Sequence, residues 1–216
     1  KIAASGRKVL FVATKKQAKD IVAEKAAACN MPYITERWPG GMLTNFNTVR
    51  KSVKKMQSIE KMLNDGSAES LTKKERLTLT RDKDKLEKVL GGIAQISRVP
   101  AALFLVDIGH EHIAMAEAKK LGISTFGMVD TNCDPNKVDF AIPANDDATK
   151  SISIIVNYLT AAITEGLQEL TSIAGERWAK NDSLFADLSE DDWSRVKNSM
   201  AAGALAIGDA PGQLVH

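Results

Sequence analysis

Two hydrophobic spacings alternate along the chain. Continuous apolar runs stand at 8–13 (KVLFVA), 101–107 (AALFLVD) and 124–129 (STFGMV). Runs of this length without polar alternation predict parallel strands covered on both faces. Elsewhere apolar positions return every three or four residues: Ala18, Ile21, Val22 and Cys29, then 113–121, then Ile152, Ile155, Leu159 and Ile163. That spacing predicts helices. Two shorter strands are expected at 33–35 and 140–142. Strands and helices in regular alternation predict an α/β fold, a doubly wound parallel sheet of flavodoxin-like, Rossmann-type design with helices on both faces.

One stretch breaks the rhythm. Phe46, Val49, Val53, Met56, Ile59 and Leu63 follow one another in steps of three and four, the seam of an antiparallel helix pair. Asn64, Asp65 and Gly66 end it, Thr72 and Glu75 open a second helix as a capping box, and Leu79, Leu86 and 89–93 carry a weaker stripe down to Gly91 and Gly92. Residues 44–90 therefore read as a basic helical hairpin, a coiled coil inserted into a core domain of 1–43 and 91–168. At about 1.5 Å per residue each arm reaches roughly 30 Å, so part of it should project from the body. Thr14 with Gln17 is expected to cap the first helix, and Asn145, Asp146 and Asp147 the last. Beyond Leu170 the spacing fades, and Trp178, Phe185 and Trp193 lie among acidic and small residues. Residues 169–216 read as a mobile extension with room for one short helix.

Composition adds compartment and partner. With 216 residues and 44% hydrophobic content the chain can bury one substantial core. No apolar run approaches the ~20 residues of a membrane span, and the first residues lack a signal-peptide pattern, so a cytoplasmic protein with no membrane partner is expected. The sequence opens on Lys1 rather than Met and reaches a strand almost at once, which suggests that it begins inside a longer chain. Cys29 and Cys133 form no CxxC pair and read as reduced, structural thiols. The net charge of +2 conceals an asymmetry: 20 Lys/Arg against 10 Asp/Glu in 1–90, 5 against 9 in 91–168, and 4 against 8 in 169–216. A basic half beside an acidic half suits one polyanion-facing side, although solvated helix faces give the same bias.

An enzyme finds little support in the motifs. No GxGxxG follows the first strand, neither GxxxxGK[ST] nor GxSxG occurs, and no base is placed beside a nucleophile. A phosphate- or nucleotide-binding enzyme on this fold is the competing reading, but no small-molecule substrate is expected. Phosphate could sit at the Gly40-Gly41 turn, where two glycines let backbone amides approach an anion beside Lys15, Lys16 and Arg37. The alternative is a tight turn that needs positive φ. Arg50, Lys51, Lys54 and Lys55 offer a second cationic face on the hairpin. His110, Glu111 and His112 form an HEH triplet whose rings should diverge at a helix start, against a metal pair. Asp130, Asp146 and Asp147 stand where strands of such a sheet end, and together could take a divalent cation. Asp134 and Asp139 stand at the same ends, and capping and Asx-turn duty, for Asn132, Asp134 and Asp146, is the commoner explanation of such residues. Aromatics are only 5% of residues, too few for a base-stacking platform. Basic charge, a long hairpin and an anion-suited turn favour a partner that reads the backbone and shape of folded RNA.

Four runs then become recognisable: 8–18 (KVLFVATKKQA), 33–45 (YITERWPGGMLTN), 72–75 (TKKE) and 129–147 (VDTNCDPNKVDFAIPANDD). They resemble small-subunit ribosomal protein two, a family found in bacterial, archaeal and eukaryotic ribosomes, over about residues 1–168. RWxGGxLTN and DTNxDP are specific motifs, here in order within one chain. The resemblance implies a structural constituent of the small ribosomal subunit, bound to 16S ribosomal RNA near the head–body junction and docking neighbours that include ribosomal protein one. It places the RNA-facing turn at Lys15, Lys16, Arg37, Thr44 and Asn45. Three features depart from the family. Its usual opening segment with aromatic, Gly and His residues is not among these residues, the sequence after Leu170 matches no pattern of the family, and Pro39 replaces the more usual aliphatic residue. The cation at the aspartates would be Mg²⁺ or, with a His supplied from outside these residues, Zn²⁺.

Overall fold

The computed structural model describes residues 1–65 and 72–180. Five strands, β1 (Val9–Val12), β2 (Tyr33–Ile34), β3 (Ala102–Leu105), β4 (Ser124–Val129) and β5 (Phe140–Pro143), form one sheet in the order β2-β1-β3-β4-β5. All four pairings are parallel. The helices are α1 (Lys19–Ala28), α2 (Phe46–Asn64), α3 (Lys73–Leu90), α4 (His112–Leu121) and α5 (Thr149–Lys180). The fold is the doubly wound α/β sheet that the alternating pattern predicts.

The continuous apolar runs earn their place because both sheet faces are covered. Successive side chains of a strand point to opposite faces. Val9, Phe11, Ala102, Phe104 and Met128 thus meet Val22 and Ala26 of α1 and Ile152, Val156 and Ile163 of α5. Leu10, Val12, Leu103 and Leu105 meet Ala114 and Ala118 of α4, together with Trp38, Met42, Val53 and Leu90 on the other face. Phe11 and Phe104 are register partners with ring centroids 5.5 Å apart.

The two arms expected in the inserted segment are α2 and α3, which pack on each other. Glu60, late in α2, lies 3.5 Å from Lys83, while Val49 and Val53, early in α2, share a cluster with Leu86 and Leu90 at the end of α3. The two helices therefore run in opposite senses. The expected Thr72–Glu75 capping box is present: the Glu75 amide donates to Thr72 Oγ1, and the Thr72 amide donates back to Glu75 Oε2. Beyond Leu90 the chain passes under the sheet edge at Gly92. A Cβ there would lie 2.2 Å from the Tyr33 carbonyl oxygen, so only glycine fits.

Three local expectations are corrected. Thr14 does not cap α1, whose N-cap is Ala18; its hydroxyl and amide instead donate to Glu111 Oε1. At α5 the capping work falls on Asn145, which accepts from the amides of Asp147 and Ala148, while Asp146 turns inward. Finally, α5 continues unbroken to Lys180, well past Leu170. No proline interrupts it, and single interior glycines such as Gly166 and Gly175 cost only about 1 kcal/mol each. The remainder of the expected extension, 181–216, and the 66–71 connection lie outside the described residues.

Candidate nucleic-acid interface and the strand-end ion cluster

Lys15 leaves the C-terminal end of β1, where doubly wound sheets commonly bind ligands. Its ammonium does not face outward. It lies 2.9 Å from Asp107 Oδ2, 2.6 Å from Asp146 Oδ1 and 2.8 Å from Asp147 Oδ1. Burial disfavours the ammonium, but the hydrogen bonds to these three carboxylates prevail and raise its pKa. Burial likewise opposes ionisation of Asp107. Lys15 and the amides of His110 and Gly109 outweigh that and hold its carboxyl below the usual range. Asp146 differs: burial, reinforced by the charges of Asp107 and Asp147, pushes its pKa up despite Lys15.

Asp130, Asp146 and Asp147 each bring a carboxylate oxygen into one group, all within 4.8 Å of one another. Asp146 is fully buried and its Oδ2 has no hydrogen-bond partner among the described residues. The other candidates at this end serve the backbone. Asp134 accepts from the Asn136 amide, and Asp139 accepts from the Thr125 amide and hydroxyl. His110 Nδ1 lies 2.9 Å from Thr14 Oγ1, and His112 Nδ1 lies 3.2 Å from the His110 carbonyl oxygen. The HEH triplet is thus engaged by Thr14 and its own backbone.

The Gly40-Gly41 turn does meet an anion, and it belongs to the chain itself. Glu117 of α4, 8% exposed, reaches under residues 38–44. Its Oε1 accepts from Trp38 Nε1 at 3.0 Å and from the Gly41 amide at 2.7 Å. Its Oε2 accepts from the Leu43 amide at 2.9 Å, the Thr44 amide at 3.1 Å and the Thr44 hydroxyl at 3.2 Å. Burial opposes the charge, but these donors win and hold the Glu117 carboxyl below its ordinary range. Gly41 also adopts φ +82°, so the turn needs glycine for its backbone as well. Two expectations change accordingly. The amides of Gly41 and Thr44 point at Glu117 rather than outward, and Lys15 is consumed by aspartates.

What remains outward is cationic. Lys16, Arg37, Arg50, Lys51, Lys54 and Lys55 are exposed and form no ion pair among the described residues. On α2, Arg50–Lys54 and Lys51–Lys55 are like-charge pairs at i,i+4, each costing a few tenths of a kcal/mol in an isolated helix. Gly40 is exposed with open space around its Cα, and Asn45 is exposed with its Oδ1 accepting from Thr48. By contrast Lys83 on α3 is paired with Glu60 and Glu87. The basic excess of residues 1–90 thus reaches solvent from the turn, from α2 and from α3, where Lys73, Lys74, Arg76, Arg81 and Lys85 are exposed as well.

Comparison with known proteins decides the family. The family described as Ribosomal protein S2 matches residues 1–166. The chain belongs to the ribosomal protein S2 family. It is 68% identical over 169 residues to a small ribosomal subunit protein uS2 of Flavobacterium johnsoniae, covering 78% of this chain and 66% of that protein. A protein of the same name from Cytophaga hutchinsonii is 60% identical over 200 residues, 93% of this chain and 75% of the relative. That of Bacteroides thetaiotaomicron is 54% identical over 213 residues, covering 94% and 77%. The chain spans about two thirds of the length of the Flavobacterium johnsoniae protein and 58% of that of Christiangramia forsetii.

Within this member of the S2 family the two motifs that carried the resemblance do structural work. The 37–45 run wraps Glu117, and in the 130–135 run the Asp130 carboxylate accepts from the Thr131 and Asp146 amides. Sequence reading missed Glu117 and Asp107, and it named Glu111 only as part of the HEH triplet, not as the partner of Thr14. For Glu117 a signal existed: it falls on the core-facing stripe of α4 with Ala114 and Ala118. A charge at such a position has to be paired or hydrogen-bonded.

Proposed function

We propose that this S2-family chain is a structural constituent of the small ribosomal subunit, binds 16S ribosomal RNA, and works in the cytoplasm without turning over a small molecule. The observation that carries the reading is the row of exposed cations on α2, without an ion pair among the described residues, in a chain whose relatives are named small ribosomal subunit protein uS2. Residues 1–43 and 91–168 form the core that seats the protein, and 44–90 is the hairpin that projects towards RNA. Lys16, Arg37, Arg50, Lys51, Lys54 and Lys55 supply the phosphate contacts, while Gly40 and Asn45 line the same side. The i,i+4 repulsions on α2 are relieved when a polyanion lies across it. Other faces dock neighbouring ribosomal proteins, ribosomal protein one among them.

The nucleotide-enzyme alternative is disfavoured by chemistry on both sides of the sheet's end. The two places where such a fold would hold phosphate are filled by the chain's own charges, Lys15 by aspartates and the turn amides by Glu117. A divalent cation at Asp130, Asp146 and Asp147, Mg²⁺ or Zn²⁺, belongs to the same proposal. Its support is the buried, unpartnered Asp146 Oδ2 in a group whose carboxylates exceed the single ammonium. Metal analysis of the purified chain and of Asp146→Asn tests it: equal, substoichiometric metal in both would leave the aspartates as a structural ion cluster.

The main reading is tested by co-sedimentation with small subunits and by titration of a 16S transcript at several salt concentrations. Affinity should fall steeply with salt, by about 0.7–0.9 in log K per log salt for each phosphate contact. Salt-independent binding, or absence from the small-subunit fraction, would refute it.

A further inference from the structure

We propose that the cleft between α2 and the 94–97 segment seats one phosphodiester of the bound RNA backbone, with Arg50 and Lys54 on the phosphate and Gln57, Gln95 and Ser97 towards the adjoining ribose hydroxyls. The proposal rests on the RNA-binding reading above and deepens it from a charged face to a defined seat.

The cleft is built by sequence spacing. Arg50, Val53, Lys54 and Gln57 stand at i, i+3, i+4 and i+7, a single stripe of α2. Opposite them the chain leaves α3 through a short 3₁₀ turn at Gly91–Ile93 and brings Ala94, Gln95, Ile96 and Ser97 alongside. Val53, buried, and Ile96, half-buried, both belong to the apolar cluster under the sheet and form the floor. The polar side chains rise around it. Arg50, Lys54, Gln57, Gln95 and Ser97 are exposed, and none has a side-chain partner among the described residues. Among the described residues no carboxylate lines the cleft.

Size and composition decide the kind of ligand. The volume is about 170 Å³. Pockets that enclose a small molecule run from roughly 300 to 1,000 Å³, so a whole nucleotide does not fit inside. A segment of a polymer that enters and leaves does. Two cations four residues apart on one helix face converge on one anion, and the Arg50 guanidinium can hold two phosphate oxygens at once. Three uncharged donor–acceptor groups beside them suit the 2′-hydroxyl, the group that separates RNA from DNA. An apolar floor accepts the sugar's carbon face.

The test uses the full chain and a 16S transcript. Arg50→Gln/Lys54→Gln is compared with the charge-matched Lys51→Gln/Lys55→Gln, whose residues lie outside the cleft. The first pair should weaken binding by about tenfold and lower the salt slope by about one contact, while the second weakens it by about threefold or less. Gln95→Ala/Ser97→Ala should weaken binding to a duplex RNA probe without changing the salt slope, and leave binding of a DNA duplex of equal length as it was. All these side chains are exposed, so melting temperatures should match wild type, and circular dichroism confirms that each variant is folded. Equal losses for the two charge-matched pairs, or no loss with Gln95→Ala/Ser97→Ala, would overturn the seat while leaving the RNA-binding reading in place. Failure of the wild type to bind the transcript would overturn both.

Discussion

Replacing Glu117 by glutamine removes one charge and almost no volume, yet it should be among the most damaging single changes in the fold. The carboxylate accepts five hydrogen bonds, two on Oε1 and three on Oε2. A glutamine side chain keeps one acceptor oxygen and turns an NH₂ towards the other set of donors. Whichever way it is oriented, at least two N–H groups lose their acceptor: Trp38 Nε1 and Gly41, or Leu43 and Thr44. A buried donor left unsatisfied costs about 1–3 kcal/mol. Gly41 and Thr44 can recover part of that from water, so the net cost should be about 3 kcal/mol at pH 7. For a chain of this size that corresponds to a melting temperature lower by about 6–12 °C. The pH dependence provides the sharper check. Glu117's folded pKa lies below its ordinary 4.5, so its stabilisation is fully present above that value and is lost as pH falls through the folded value. Urea denaturation of both proteins should show a constant gap from pH 7 down to about 5, narrowing below 4.5. A gap under about 0.5 kcal/mol at pH 7, or one that stays unchanged in acid, would refute the assignment of Glu117 as the anion under the turn.

Lys15→Met should destabilise the chain by about 3 kcal/mol in neutral buffer, because it strands the buried carboxylates of Asp107 and Asp146. Adding Asp146→Asn should restore part of the loss, and additive losses in the double variant would contradict the ion cluster. Gly92→Ala should cost at least about 1–3 kcal/mol by thermal melting, since its Cβ collides with the Tyr33 carbonyl oxygen. Thr72→Ala should cost about 1 kcal/mol, measured by denaturation, through loss of the α3 capping box.

Much of the fold is legible in the pattern of side chains because burial on two faces leaves a plain trace. KVLFVA and AALFLVD contain no alternation, and β1 and β3 are buried on both faces for that reason. The Thr72–Glu75 box is equally readable, since both partners lie within three residues of each other. Local signals misled where a long-range partner outbid a local one. Thr14 has the look of an N-cap but bonds Glu111, 97 residues away, and Asp146 has the look of a cap but pairs with Lys15 across 131 residues.

The basic half, the anion-suited turn and the cluster of strand-end aspartates could all be named from the amino-acid sequence, because residue type and spacing carry charge and backbone freedom. Which charges meet could not. In the sequence reading Lys15 and Gly41 face RNA phosphate. The parallel order β2-β1-β3-β4-β5 instead sets the end of β1 beside the end of β3, the segment between β5 and α5 brings Asp146 and Asp147 to Lys15, and Glu117 of α4 comes beneath residues 38–44. Charges on different elements are brought within hydrogen-bonding range by chain topology and packing, and interactions of that range leave no periodicity in the sequence. The same tertiary arrangement leaves Arg50, Lys51, Lys54 and Lys55 without ion-pair partners among the described residues. Sequence therefore determined how many cations this protein has, and the fold decided which of them remain available to a polyanion.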